Sequence, residues 1–271
     1  MNKKKIQSPA TIFLISVMLF SFASCDEDGK FNMFTVEEEI VLGEEFTQHI
    51  LDNPEEYPIL DKDKHPEVYE YVYRMRDEIL ASKDIRYKDR FDWNIYIIDQ
   101  DVFNAFALPG GNTFYYTGLI KFLDDEASLA GVMAHEIAHA DKRHASLRLT
   151  EVYKYQVVAS LLFGSNPTLI QSILTDLAIG GVALEYSRKF EFEADEFAVR
   201  YLYPTQTDSR GVAYFFQKID SEPTPGWMTY FSTHPPDKER IDAVMELHKV
   251  LGGKEGNLFG SRYQEFKNKL P

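Results

Sequence analysis

Gly131-Val132-Met133-Ala134-His135-Glu136-Ile137-Ala138-His139 is the stretch from which the rest of the chain can be read. Leu129, Val132, Met133, Ile137 and Ala138 surround the polar triplet with apolar and small side chains, which predicts a buried helix. On that helix His135 and His139 stand one turn apart on one face, so both imidazoles can reach a single metal ion. Glu136 points to the side. There its carboxylate can take a proton from a water polarised by the metal without being a ligand itself. With seven histidines in 271 residues a chance His-Glu-x-x-His is conceivable, so the assignment needs a third ligand and a context.

Ser187 to Ala198 supplies the ligand. Glu191 and Asp195 stand at i and i+4 on one helical face, among Phe190, Phe192, Ala194, Phe197 and Ala198. Two acids in such surroundings need partners, because a buried carboxylate without one is costly. A zinc ion meets that need: Glu191 is the expected third ligand, and Asp195 is expected to accept the free N–H of a ligating histidine. The plainer alternative is an exposed acidic face, which is the reading for Glu193 and Glu196.

With these residues in place, the chain resembles the M48 family of gluzincin metallopeptidases. HEIAH followed, two hydrophobic segments later, by Glu191-x-x-x-Asp195 carries the resemblance. So do Asn104-Ala105-Phe106-Ala107-Leu108-Pro109-Gly110-Gly111, then Thr117-Gly118-Leu119-Ile120, then Ser232-Thr233-His234-Pro235-Pro236 with Arg240-Ile241. Motifs in family order over roughly residues 36 to 250 are far more specific than one motif alone. The resemblance implies an α+β fold, a mainly helical zincin-like metallopeptidase domain with a small sheet beside the active-site helix. It also implies that His234 lies near the metal, either stabilising the oxyanion or occupying the open metal position in a resting state. The other reading of His234 is a cap or surface residue. The family further implies an extended substrate added to an edge strand, at Asn104, Ala105, Phe106 and Ala107 or at the Asn112–Tyr116 stretch.

The N-terminus reads as targeting rather than fold. Lys3, Lys4 and Lys5 precede a short apolar run from Thr11 to Phe22, and small residues lead to Cys25, the only cysteine. Residues 1–24 therefore resemble a lipoprotein signal peptide, with Cys25 acylated and 25–34 an acidic tether, although Phe22 stands where leucine is usual. A simple secretory signal with an incidental cysteine is the alternative. Cleavage before Cys25 removes three lysines and no acid, taking the net charge from −14 to −17. That balance excludes nucleic-acid binding through phosphate neutralisation, and it assigns membrane attachment to acyl chains rather than to a basic patch. The sequence does not decide which membrane, or whether the protein faces the periplasm or the cell surface.

The remaining 35–271 reads as one catalytic domain. A capping box at Thr35-Val36-Glu37-Glu38 opens a first helix, and Glu67 to Ser82 predicts a second; both are expected to lie over the active-site helix. Phe91 to Asp99 predicts a strand, and two more flank Pro109-Gly110-Gly111. The active-site helix should open near Asp124-Asp125-Glu126, where acids suit the helix dipole. His144, five residues beyond His139, points off the ligand face of a continuing helix and reads as structural or surface. Residues 155–184 are apolar but broken at Gly164-Ser165-Asn166-Pro167, so they predict two buried helices, with a segment over the cleft, rather than a membrane span. Ser209–Ile219, Asp237–Val250 and Gly260–Pro271 predict helices, with a loop at Pro223 to Met228. No tetratricopeptide-length repeat is present.

The sequence thus predicts a zinc endopeptidase of the bacterial cell envelope with one Zn²⁺ per chain, bound by His135, His139 and Glu191. Glu136 is the general base and His234 an assisting residue. The expected partners are a protein or peptide substrate and, through Cys25, a membrane; oligomeric state is left open. A chaperone-like assembly factor with a latent, His234-blocked site is the alternative function.

Overall fold

A computed structural model describes residues 24–25, 30–163, 186–222, 227–232, 234 and 238–271. Residues 1–23 of the expected signal segment, residues 26–29 of the expected tether, the second apolar helix and cleft-covering segment expected within 164–184, residue 185, the loop at 223–226, and residues 233 and 235–237 lie outside the described residues. A two-stranded ribbon starts the described chain: β1 (Ser24–Cys25) runs antiparallel to β2 (Phe31–Asn32). The predicted capping box then opens α1 (Val36–Leu51). Thr35 Oγ1 accepts the Glu38 N–H at 3.2 Å, and Glu38 Oε2 accepts the Thr35 N–H at 2.9 Å. α2 (Pro66–Leu80) starts on a proline, whose missing N–H costs nothing in a first turn.

The sheet is small and mixed, in the order β3 (Ile95–Ile98), β5 (Thr113–Tyr116), β4 (Ala105–Ala107), with β5 parallel to β3 and antiparallel to β4. The first strand is shorter than the sequence predicts because Trp93 sits at φ 53°, a left-handed conformation no strand contains. Trp93 packs with Phe91 in the core instead. Gly110 and Gly111, at φ 78° and 100°, turn the β4–β5 hairpin where a side chain would be strained. The position of β5 corrects one expectation: it is paired on both sides, so of the two candidate substrate strands only β4 is at an edge.

Helices fill the rest. α3 (Thr117–Phe122) leads into α4 (Glu126–Asp141), capped by Asp125, whose carboxylate accepts the Ser128 N–H at 2.8 Å. Every residue of α4 is buried. α5 (His144–Phe163), α6 (Arg188–Leu202), α7 (Gly211–Ser221), α8 (Trp227–Phe231), α9 (Lys238–Val250) and α10 (Gly260–Lys267) follow. α4 packs chiefly on α6 and α7, with β4 beside it. The α4–α7 crossing is so close that a Cβ on Gly131 would stand 2.1 Å from the Val212 nitrogen. α2 packs on α4 as expected, but α1 lies mainly against the Pro109–Gly111 turn. Trp227 and Met228, expected in a loop, belong to α8. The result is an α+β domain, mainly helical, with its sheet beside the central helix. Among the described residues no helix is long and apolar enough to cross a membrane.

Candidate metal centre

Three helices and one loop residue meet at the site. α4 presents His135, Glu136 and His139, all essentially without solvent exposure. Ser187 caps α6 by accepting the Phe190 N–H at 3.3 Å, which sets Glu191 in the first turn facing α4. His234 follows α8, its N–H donating to the Tyr230 carbonyl at 3.0 Å, and its ring lies on that of Tyr230 at 4.7 Å and 21°.

His135, His139, Glu191 and His234 each offer a ligand atom, all within 4.8 Å of one another. His135 Nε2 is 3.0 Å from His139 Nε2 and 3.4 Å from His234 Nδ1. Glu191 Oε1 is 3.3 Å from His139 Nε2 and 3.2 Å from His234 Nδ1, and its Oε2 is 3.6 Å from His135 Nε2. A tetrahedral ion with nitrogen and oxygen ligands at about 2.0–2.1 Å requires ligand–ligand edges of about 3.3–3.4 Å. The five separations given above lie close to that edge, and imidazole nitrogens with a carboxylate oxygen are the donors such an ion takes. Burial, reinforced by His135, holds His139 well below the usual imidazole range and so keeps it a neutral donor. Burial works to raise Glu191, but His234 and Arg240 outweigh it and hold the carboxyl well below its usual range, ionised. The same two acids, Glu191 and Glu136, raise His234 against its burial.

Glu136 sits beside the donors without joining them. Its oxygens are buried and make no well-aligned hydrogen bond among the described residues; His234 Nε2 lies 3.5 Å from Oε1. Burial raises its carboxyl above the usual range, offset in part by His234 and His135, and the Ala107 backbone amide on edge strand β4 faces it. Of the Asn104–Ala107 stretch, Ala107 is thus the residue beside Glu136.

Asp195 is shared between His135 and Arg240. Its Oδ1 comes within 2.8 Å of His135 Nδ1, the nitrogen turned away from the cluster. Arg240 takes both of its oxygens as well, Nε to Oδ2 at 2.6 Å and Nη2 to Oδ1 at 2.8 Å, and reaches Glu191 Oε2 with Nη1 at 2.6 Å. Burial would raise Asp195; Arg240 outweighs it and lowers the carboxyl. Arg240 is 0% exposed and lies over the Phe216 ring.

Two sequence readings are corrected here. His144 is neither on the surface nor turned away: its Nδ1 is 3.0 Å from His139 Nδ1. Glu193 is not part of an open acidic face: its side chain is 20% exposed, held by Lys30 at 2.8 Å and beside His144 Nε2 at 3.4 Å. Those partners outweigh burial and bring the Glu193 carboxyl down to about 2. Tyr186, on the His139 ring at 4.0 Å and 23°, and Tyr230 carried no signal in the sequence beyond adjoining site residues.

A model described as peptidase family M48 matches residues 66–248. The chain belongs to peptidase family M48. This M48 domain is similar to mitochondrial metalloendopeptidase OMA1 of Arabidopsis thaliana, 26% identical over 60% of this chain and 35% of that protein. It is similar also to the β-barrel assembly-enhancing protease of Yersinia pestis, 27% identical over 66% of this chain and 38% of that protein. Metalloprotease YcaL of Escherichia coli strain K12 is 29% identical over 56% of this chain and 59% of its own length. The match therefore spans between about a third and three fifths of these relatives. The four converging donors are where a metal of this peptidase family would sit.

Proposed function

We propose that the chain is a zinc-dependent endopeptidase of the bacterial cell envelope, cutting unfolded or misassembled proteins. One observation carries the reading: an ionised buried carboxylate and three imidazoles converge at tetrahedral spacing beside a second buried carboxylate, Glu136, that has no aligned partner among the described residues. His135, His139 and Glu191 would hold one Zn²⁺ per chain, which when bound supplies Lewis-acid polarisation of water and of the scissile carbonyl. Glu136, raised by burial, takes the proton of the attacking water and passes it to the leaving amine. The backbone of β4, beside Glu136, receives the substrate as an added strand. His234 Nε2, 3.5 Å from Glu136, lies where it can donate to the developing oxyanion.

The envelope location draws on the signal-like residues 1–24, on Cys25 as the acylated residue facing periplasm or cell surface, and on bacterial relatives named for β-barrel assembly. A second reading has its own observation. His234 Nδ1 stands at ligand distance from both His135 and Glu191, so it fills the fourth corner, and a latent chaperone-like factor would look like this at rest. Zinc content and casein cleavage, measured on wild type, Glu136→Gln and His234→Ala, test both. One zinc per chain with cleavage abolished in Glu136→Gln and reduced in His234→Ala supports the peptidase. Zinc without cleavage in wild type, with cleavage appearing in His234→Ala, supports the latent form. No zinc in any protein would sink the reading.

A further inference from the structure

We infer that Lys30, Glu193 and His144 form an outer support that fixes the tautomer and orientation of His139, and so tie the segment just after Cys25 to the metal centre. The inference rests on the zinc reading of the site. Its direction follows from donor counting. His139 turns Nε2 into the cluster, 3.0 Å from His135 Nε2 and 3.3 Å from Glu191 Oε1. An imidazole offering its lone pair there carries its hydrogen on Nδ1. That nitrogen lies 3.0 Å from His144 Nδ1, which must accept, leaving the His144 hydrogen on Nε2. His144 Nε2 faces Glu193 Oε2 at 3.4 Å. Glu193 in turn accepts from Lys30 Nζ with both oxygens, at 2.8 and 3.0 Å. Only this arrangement gives every donor an acceptor; the other His144 tautomer would set two N–H groups against each other.

Packing holds the rings to that geometry. Phe190 lies on the His144 ring at 4.4 Å and 15°, and Tyr186 lies on His139. Lys30 Nζ stands 5.7 Å from the Phe190 centroid, so the same lysine touches both the acid and the ring that clamp His144. Residues 32 and 33 are fixed to the helix that starts at His144: Asn32 Nδ2 donates to Ser146 Oγ at 2.8 Å, and the Met33 N–H donates to Thr150 Oγ1 at 3.1 Å. Through these contacts the chain just after the proposed anchor becomes a positioning element of the site. It is more than a spacer.

Plain stabilisation predicts something else. A structural role alone would lower the metal-free melting temperature, because the Lys30–Glu193 pair is about four-fifths buried on each side, but it would leave the zinc affinity of the folded protein unchanged. Outer partners of metal-binding histidines, by contrast, typically change metal affinity about 10- to 100-fold. The test measures the zinc dissociation constant by chelator competition, and the visible spectrum of the cobalt-loaded protein, on the full chain purified in detergent. His144→Phe keeps the stack on Phe190 but removes the acceptor; it should weaken zinc about 10- to 100-fold and shift the cobalt bands. Lys30→Met and Glu193→Gln should weaken zinc several-fold in the same direction, non-additively when combined, and shift the cobalt bands at temperatures where both variants are folded. Glu246→Gln, which breaks an exposed pair elsewhere, should change nothing. Should His144→Phe fail to fold, the two partly exposed variants decide the matter. A wild type that binds one zinc while Lys30→Met and Glu193→Gln bind it equally tightly would overturn this inference alone. A wild type that binds none would overturn the proposed function and this inference together.

Discussion

Arg240→Met should split the stability of the metal-free protein from that of the zinc-loaded protein. Arg240 has no solvent exposure and spreads its guanidinium over two buried carboxylates, Asp195 at 2.6 and 2.8 Å and Glu191 at 2.6 Å. Methionine keeps most of the stem that lies over Phe216 and removes the charge. What remains is two buried acids that have lost their shared permanent cation and keep only the histidines beside them, a change that costs about 3–5 kcal/mol in comparable buried pairs. Against a typical total of about 5–15 kcal/mol, the metal-free variant should sit near its unfolding threshold. Zinc at 1,000 times its dissociation constant returns about 4 kcal/mol by mass action, nearly the whole loss. Urea titrations with chelator and with zinc, followed by circular dichroism, should therefore show the chelated variant about 3–5 kcal/mol below chelated wild type, and the zinc-loaded variant back near the stability of metal-free wild type. A chelated Arg240→Met protein within about 0.5 kcal/mol of wild type would refute the argument, because surface substitutions alone give changes of that size.

Glu126 is a second buried acid, away from the centre, held by Tyr71, by Arg74 at 2.9 Å and by Arg262 at 2.6 Å. Burial would raise its carboxyl; Arg262, Tyr71 and Arg74 outweigh it and lower it, so its contribution is complete above the ordinary glutamate range of about 4.3 and is lost as pH falls through the lower folded value. Glu126→Gln should destabilise the protein at pH 7 and flatten the acid limb of a urea-midpoint profile from pH 7 to pH 3; an unchanged limb would contradict this. Gly131→Ala puts a methyl into the α4–α7 crossing against backbone that cannot step aside, so a loss of more than about 1–3 kcal/mol is expected in thermal melts. Thr35→Ala removes a side-chain cap and should cost about 1 kcal/mol, read as a shift of the urea midpoint with unchanged slope.

Which parts of this site the sequence revealed depended on how local the geometry was. His135, Glu136 and His139 share one helix, and the 3.6-residue period alone puts the two imidazoles together. Glu191 and Asp195 show themselves the same way, as two acids on an otherwise apolar face. Arg240 could be expected to find a carboxylate, but that it would bridge two of them depends on α9 lying across α6. Glu39 gave no sign at all. It reads as one of three first-turn acids on α1, yet it is fully buried and paired with Arg143, 104 positions away.

His144 shows the physical limit most clearly. The angular argument that sent it away from the ligand face assumes that the helix continues beyond His139. It stops at Asp141; Arg143 then adopts φ 58°, and His144 begins a new helix whose first ring turns back onto His139. A non-glycine residue in the left-handed region is uncommon and persists only where surrounding contacts hold it. Here the contacts are those of the Arg143 side chain, which donates to Glu39 Oε2 at 2.5 Å and to the Phe34 carbonyl at 2.6 Å. The bend that aims His144 is therefore secured by the N-terminal segment, as is the far end of its hydrogen-bond chain through Lys30. Two independent anchors on one stretch of chain make the placement of His144 a tertiary property. A periodicity read within α4 contains neither of them.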